Sequence, residues 1–450
     1  MIGLNKIGLN QVQLNRLRLN APFPAYGKMA GGGGSGDGFP QLPGDVTRWH
    51  FGGLTNEMMA AMDDPRIEDA DHKGRFLSFK NFAWKEGSGI SDVYPGALVF
   101  DGVDDRGVCD NFPILTKEKG YTVVVLRQWD QDFLNTTLTG GLLSTRNYST
   151  GEGVAFEKIE SSNKGYWNLG AGGIIDFAKS PFTWQTSKQY NNVGILKGDK
   201  NHGKPLCVGC GLSGGQQCGR FAIWELVFLD HDATEEELTK IKDYFVKTYP
   251  WLFPDQAWTV TGKTNEDKDR ATIANITGNG NDLVCLNLGF IEGSGYNEEG
   301  EYAGYLVTDG VDDKITSSTF EMGNDWTVIG DWELINTGKK DNAGIVKFDS
   351  IVIYNYNPIL INIKNGRNNL IPDQNTVNAI CSDGRIYSKD WKESIYNEET
   401  ESTSKNLLTI GYSGNSYTKI AFKDLAIYPT VLSKEDCIKA YNYLQTLKAK

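Results

Sequence analysis

The chain has no apolar run near the ~18 residues needed to cross a bilayer as a helix, so no membrane partner is expected. Positive charge is in deficit. Lys and Arg number 45 against 57 Asp and Glu, a formal net charge of -12, which excludes a broad nucleic-acid face. Histidine is scarce, with 4 among 450 residues and no Ser-His-Asp context, so a hydrolytic triad has no support. The 7 cysteines are odd in number and scattered, which excludes a dense disulfide framework and leads to the expectation of reduced thiols. The first residues lack the apolar core of a secretion signal, so synthesis in the cytoplasm without secretory export is expected.

What the chain does have is a large repeat. Trp84, Glu86, Gly87, Ser88 and Gly89, followed by Phe100, Asp101, Gly102, Val103, Asp104 and Asp105, recur as Phe290, Glu292, Gly293, Ser294 and Gly295, followed by Thr308, Asp309, Gly310, Val311, Asp312 and Asp313. Each copy ends in an apolar run, residues 223–228 or 422–428, before a charged helical stretch. Two modules, 39–254 and 255–450, therefore fill most of the chain, each long enough to bury a full core.

A shorter repeat precedes them. Ile2, Leu4 and Asn5; Ile7, Leu9 and Asn10; Val12, Leu14 and Asn15; and Leu17, Leu19 and Asn20 follow a period of five. That period is neither 2 nor 3.6, so this is neither a plain strand nor an amphipathic helix. It resembles a pentapeptide-repeat β-helix, with a larger residue where a small one is usual. Four units close about one coil, which cannot bury its own apolar face. Ile2, Leu4, Ile7, Leu9, Val12, Leu14, Leu17 and Leu19 are thus expected to pack on other copies of the chain, giving a homo-oligomer, or on a larger assembly. The segment is basic, with Lys6, Arg16, Arg18 and Lys28 and no acid through residue 36. Glycines 31–34, 36 and 38 follow as a hinge, so residues 1–38 read as an anchor and its tether.

Both modules read as mainly β. Residues 121–126, 326–329, 351–354 and 359–363 are β-branched and aromatic runs bounded by turn residues. Thr234 with Glu237, and Ser433 with Asp436, mark capped helix starts. Leu238, Ile241 and Phe245, and Ile438, Tyr441 and Leu444, recur at helical spacing, so each helix is expected to lay one face on its own sandwich.

The Asp-Gly-Val-Asp-Asp motif at 101–105, the strand 122–126, residues 206–209 and the run 221–228 before the Thr-Glu-Glu-Glu-Leu helix resemble the laminin-G-like, concanavalin A-like lectin/glucanase superfamily. Residues 308–313, 408–411 and 423–428 repeat the series in the second module. The resemblance implies two tandem jelly-roll β-sandwiches, each ending in a short helix. It does not fix a function, because such sandwiches carry lectins, adhesion modules, glycosidases and inert spacers.

Three residue groups bear on chemistry. Asp101, Asp104 and Asp105, with Asp309, Asp312 and Asp313, suit a calcium ion or a tight turn whose amides they cap, and the turn is the simpler reading. No other cofactor is indicated. His202, Cys207, Cys210 and Cys218 have zinc-ligand types, but residues three apart on a regular strand face opposite ways, so a break at Gly209 would be required. Glu225 and Glu333 sit on strands beside Trp224 and Trp332, and Glu333 has Asp331 at strand spacing. The Glu-x-Asp-x-x-Glu signature of retaining glucanases occurs nowhere, so no catalytic residue is assigned and the chain is read as a non-enzyme.

Trp129, Trp167, Trp184, Trp258 and Trp391 lie in turn-rich surroundings where a ring could stack on a sugar, or could fill the core instead. A repetitive anchor, a glycine hinge and tandem lectin-like modules are similar in layout to bacteriophage virion proteins. Head fibres, capsid decoration proteins and tail fibres, including those of crAss-like phages of Bacteroidota, are built this way. Capsid or other virion proteins are the expected partners of the anchor, and a host or mucus polysaccharide is the expected ligand of the modules.

Overall fold

Residues 221–229 contain a single charged side chain, Glu225, and residues 122–126 contain none. Strands without polar alternation are buried on both faces, and that property organises this molecule. The computed structural model describes residues 37–114, 120–145, 155–158, 164–167, 174–176, 185–186, 205–212, 216–335, 343–348, 351–355, 360–363, 367–370, 377–395, 406–412 and 416–449. The anchor residues Ile2 to Leu19 lie outside them.

The fold is mainly β, with two sheets in each module. In the first, strands β1 (Val46–His50), β2 (Leu98–Asp101), β3 (Thr122–Trp129) and β4 (Arg220–Leu229) centre a six-stranded sheet. β3 pairs along one side of β4, while β2 and β1 share the other side. Helix α1 (Glu235–Thr248) follows. The second module repeats the plan with β5 (Gln256–Thr259), β6 (Thr327–Leu334) and β7 (Ile420–Tyr428), then helix α2 (Lys434–Leu444). A ten-stranded and an eight-stranded outer sheet cover the two sandwiches.

Alternate residues of β4 serve different cores. Phe221, Ile223, Leu226 and Phe228 pack with Trp49, Phe100, Val123 and Val125 inside the first sandwich. Ala222, Trp224, Val227 and Leu229 point the other way. In β7, Phe422, Leu425 and Ile427 enter the second sandwich core, while Ala426 and Tyr428 point out of it. The outward residues of both modules meet in one cluster together with Ile241, Tyr244 and Phe245 of α1 and Cys437, Ala440, Tyr443 and Leu444 of α2. The helices therefore fill a layer between the two inner sheets, and the modules share a hydrophobic core.

Both helix starts are capped as the sequence predicts. Thr234 Oγ1 accepts from the Glu237 amide at 3.2 Å and Glu237 returns the bond to the Thr234 amide at 2.7 Å, while Ser433 Oγ accepts from Asp436 at 3.1 Å. The buried face of α2 differs from expectation. Cys437, Ala440, Tyr443 and Leu444 are buried, and Ile438 and Tyr441 are only half-buried. A helix packed on its own sheet alone buries one stripe, whereas the shared layer also engages the neighbouring side that carries Tyr443.

Candidate functional site

Each inner sheet carries a buried acid at the same place. The pairing of β4 with β3 shifts between Ile223 and Glu225, and that of β7 with β6 shifts between Phe422 and Asp424. Trp224 and Lys423 are the extra residues of two β-bulges, which let consecutive side chains face the same side. Glu225 and Asp424 are both completely buried, and both look toward the helix layer.

In the first module the acid is fully engaged. Glu225 Oε1 lies 2.6 Å from His50 Nδ1 and accepts from Tyr249 Oη at 2.9 Å, and Oε2 accepts from Arg48 at 3.4 Å. Tyr244 Oη accepts from Arg48 at 3.0 Å. The other arm of the Arg48 guanidinium pairs with Asp37, and its plane lies 4.4 Å from the Phe39 ring. Phe39 in turn meets Tyr244 edge-on at 5.0 Å. The end of the glycine hinge, at Asp37, and Phe39 directly after it are thus latched onto a buried ion pair.

The second module arranges its counterpart differently. Asp424 accepts from Gln445 Nε2 at 3.0 Å, and burial, reinforced by the charge of Asp331 opposite it, pushes its carboxyl up to about 7. Asp331 is half-buried and accepts from Tyr305 Oη at 3.1 Å to both oxygens. Burial, then the Asp331 charge, raises the phenols of Tyr305 and Tyr441. Tyr302 stands 6.4 Å from the Tyr305 ring, and Trp391 stands edge-on to Tyr441 at 5.7 Å and 6.2 Å from Tyr387. Glu333, 34% exposed, and Lys389 flank this strip at 3.9 Å. The Asp331 and Glu333 pair is thus mid-strand at a bulge, bordered by tyrosines. Sequence spacing left Asp424 and Tyr305 unread and took Tyr441 only as part of a helix's packing stripe, although aligning the last strands of the two copies sets Asp424 beside Glu225.

The aspartate motifs are turns. Asp101 Oδ1 accepts from the amides of Val103 at 2.8 Å and Asp104 at 3.4 Å, and the Asp101 amide donates to Asp105 at 3.0 Å. Asp309, Val311, Asp312 and Asp313 repeat this at 2.7, 3.3 and 2.7 Å. Gly102 and Gly310 hold φ of 78° and 76°, and a side chain would strike Arg220 Cβ at the first and the Lys419 amide nitrogen at the second. In each motif the three carboxylates lie close enough to share a cation. Burial nevertheless pushes Asp105 up to about 7, with Asp101 and Asp104 adding to the effect, which favours a proton there over a bare charge.

The cysteines depart from expectation. Gly209, at φ 98°, breaks the strand between Leu206–Val208 and Cys210–Leu212, and Cys207, Cys210 and Cys218 gather in one buried cluster. Cys210 and Cys218 face each other across a hairpin and form a disulfide. The reading of all thiols as reduced is corrected, and those two sulfurs are unavailable to zinc. His202 lies outside the described residues. Of the tryptophans, Trp129 and Trp258 are core residues. Trp184, and the side chain of Trp167, lie outside the described residues. Trp391 keeps part of its surface in solvent.

No family model matches the sequence, and no curated protein matches it. Among solved structures, the chain is similar to the receptor-binding domain of botulinum neurotoxin type G, at 12% identity and TM-score 0.27, covering 42% of this chain and 50% of that one. It is also similar to Trypanosoma rangeli sialidase in complex with sialic acid, at 10% identity and TM-score 0.31, covering 84% and 68%. A third is the binding domain of botulinum neurotoxin DC in complex with rat synaptotagmin II, at 14% identity and TM-score 0.29, covering 42% and 51%. The chain spans half the length of the first of these. At such scores the similarities transfer no residue role and no activity.

Proposed function

We propose that the chain is a non-enzymatic structural protein of a bacteriophage virion, a head fibre or capsid decoration protein. Residues 1–38 anchor and tether it, as a homo-oligomer, to capsid or neighbouring virion proteins, and the two lectin-like modules project for contact with host or mucus glycans. The observation that carries this reading is the latch at Asp37 and Phe39. The apolar pentads lead through a glycine tether to a fixed exit point on a two-module body joined by a shared core. A rigid body on a short tether suits display from a surface, where weak contacts are multiplied over many copies. Glu225, which lies 2.6 Å from His50, is sealed from substrate by burial, which supports a role without catalysis at that pair. Among the described residues no helix is long and apolar enough to cross a membrane. The half-buried aromatics Trp391, Tyr441, Tyr305 and Tyr302 of the second module favour a second reading, a tail-fibre receptor-binding protein or a bacterial surface glycan-binding protein.

The test compares the full chain with a version starting at Asp37, by light scattering and by co-sedimentation with capsid particles. The full chain is expected to assemble and sediment, and the shortened chain to remain a free monomer. Identical monomeric behaviour of both would remove the anchor and leave the surface-lectin reading.

A further inference from the structure

We infer that the second module carries a carbohydrate-binding strip, formed by Trp391, Tyr441, Tyr305, Tyr302, Asp331 and Glu333, whose ligand is a neutral polysaccharide. The inference rests on the display reading above and gives it a ligand class and a place.

The two copies provide an internal control, because residues that both keep are explained by the fold. By strand register, Leu126 occupies in the first module the place of Asp331. Counting from the helix caps, Lys242 occupies the place of Tyr441. Trp391 is presented by the hairpin between Arg385–Ser388 and Glu393–Ile395, and the corresponding stretch of the first module lies outside the described residues. At the places of Asp331 and Tyr441 the first sandwich is built without the acid and the ring, so their presence at the rim of the second is not a requirement of the fold, whereas Tyr302 has Tyr94 at its place in the first module.

The chemistry matches a pyranose. Its apolar C–H face stacks on a partly exposed aromatic ring, and its hydroxyls donate to carboxylates. Asp331 has about four acceptor positions, and each phenol has one proton to give, so Tyr305 and Tyr441 orient the carboxylate without exhausting it. Trp391 is held between the Tyr387 and Tyr441 rings at φ 57°, a left-handed conformation uncommon for a large residue and concentrated where backbone strain serves a site. Such pre-ordering lowers the entropy lost on binding. Lys389 pairs with Glu333 at 3.9 Å and Lys423 lies over the Tyr305 ring, while Glu301 adds its charge beside Tyr302, so the strip is not basic and has no cationic surplus with which to hold a polyanion. The formal net charge of -12 opposes polyanions further.

The experiment is affinity electrophoresis of the full chain through gels containing a soluble β-glucan, a galactomannan or polygalacturonate. Retardation by a neutral polymer and not by polygalacturonate is expected. Trp391→Ala should weaken it about tenfold, the worth of one good ring contact. Asp331→Asn and Tyr305→Phe, whose folding is checked by thermal unfolding, should each weaken it several-fold, and Lys242→Ala should leave it unchanged. No retardation by either neutral polymer, equal retardation by polygalacturonate, or binding that survives both Trp391→Ala and Asp331→Asn would overturn the assignment. Assembly through the arm is measured separately. A chain that assembles but binds no polymer is a spacer, whereas one that binds but does not assemble is a lectin without the virion role.

Discussion

Tyr443, on the last helix of the second module, donates a buried hydrogen bond of 2.9 Å to Gln128 on an inner strand of the first. Its ring also meets Trp224 edge-on at 6.0 Å, and Lys448 nearby pairs with Asp132 of the first module. Residues more than 300 positions apart are thereby held in one core. Modules that share a core unfold together. A single calorimetric transition, with calorimetric and van't Hoff enthalpies equal, is expected for the chain from Asp37 onward. Tyr443→Phe leaves Gln128 Oε1 without its buried donor and should cost about 1–3 kcal/mol. Two separated transitions in the unmodified protein would refute the shared core.

Arg48 and Glu225 are both buried, and the arginine is the cation that compensates the carboxylate. Removing one partner of a buried pair leaves an uncompensated charge, so Arg48→Met should destabilise by roughly 3–5 kcal/mol. Asp37, 38% exposed on its side chain, touches the same guanidinium from the solvent side. Asp37→Ala should cost no more than about 1 kcal/mol, as solvent-exposed pairs do. Urea denaturation of both variants measures the difference. Equal losses would mean that Asp37, and not Glu225, is the principal partner of Arg48.

The repeat, the strands at 122–126 and 351–354 and both helix caps were legible because each depends on neighbours in sequence. The shared layer was not read, although its signal was present. The absence of alternation in residues 221–229 means burial on both faces, but a strand run cannot name what covers its second face. The disulfide was hidden for a related reason, since Cys210 and Cys218 meet only through the turn at Gly209 and the hairpin beyond it. Within the strip, Trp391 was legible as one of five tryptophans in turn-rich surroundings. Its separation from Trp129 and Trp258 needed three-dimensional packing, because all five share the same local chemistry.

Asp424 makes stability depend on pH in a direction opposite to that of a paired surface carboxylate. Its folded-state pKa, about 7, lies above the unfolded value of ~3.9. Below pH ~4 the group is protonated in both states and costs nothing. Between pH ~4 and ~7 the unfolded chain releases the proton while the folded chain holds it, so the native state binds more protons and stability falls as pH rises. Above pH ~7 the penalty levels off at roughly 4 kcal/mol, about three pKa units at ~1.4 kcal/mol each. Asp424→Asn keeps an acceptor oxygen for Gln445 Nε2 and removes the charge. The stability of this variant relative to the parent should therefore increase from pH 4 to pH 8 by up to that amount, with any fixed packing cost appearing equally at every pH. Asp105, pushed up to about 7 at the turn of the first module, adds a similar slope to both proteins and cancels in the comparison. Urea denaturation at pH 4, 6 and 8 measures it. A difference that stays constant over the whole range would mean that Asp424 is ionised in the folded protein at pH 4, and that Gln445 and Lys423 compensate its charge in full.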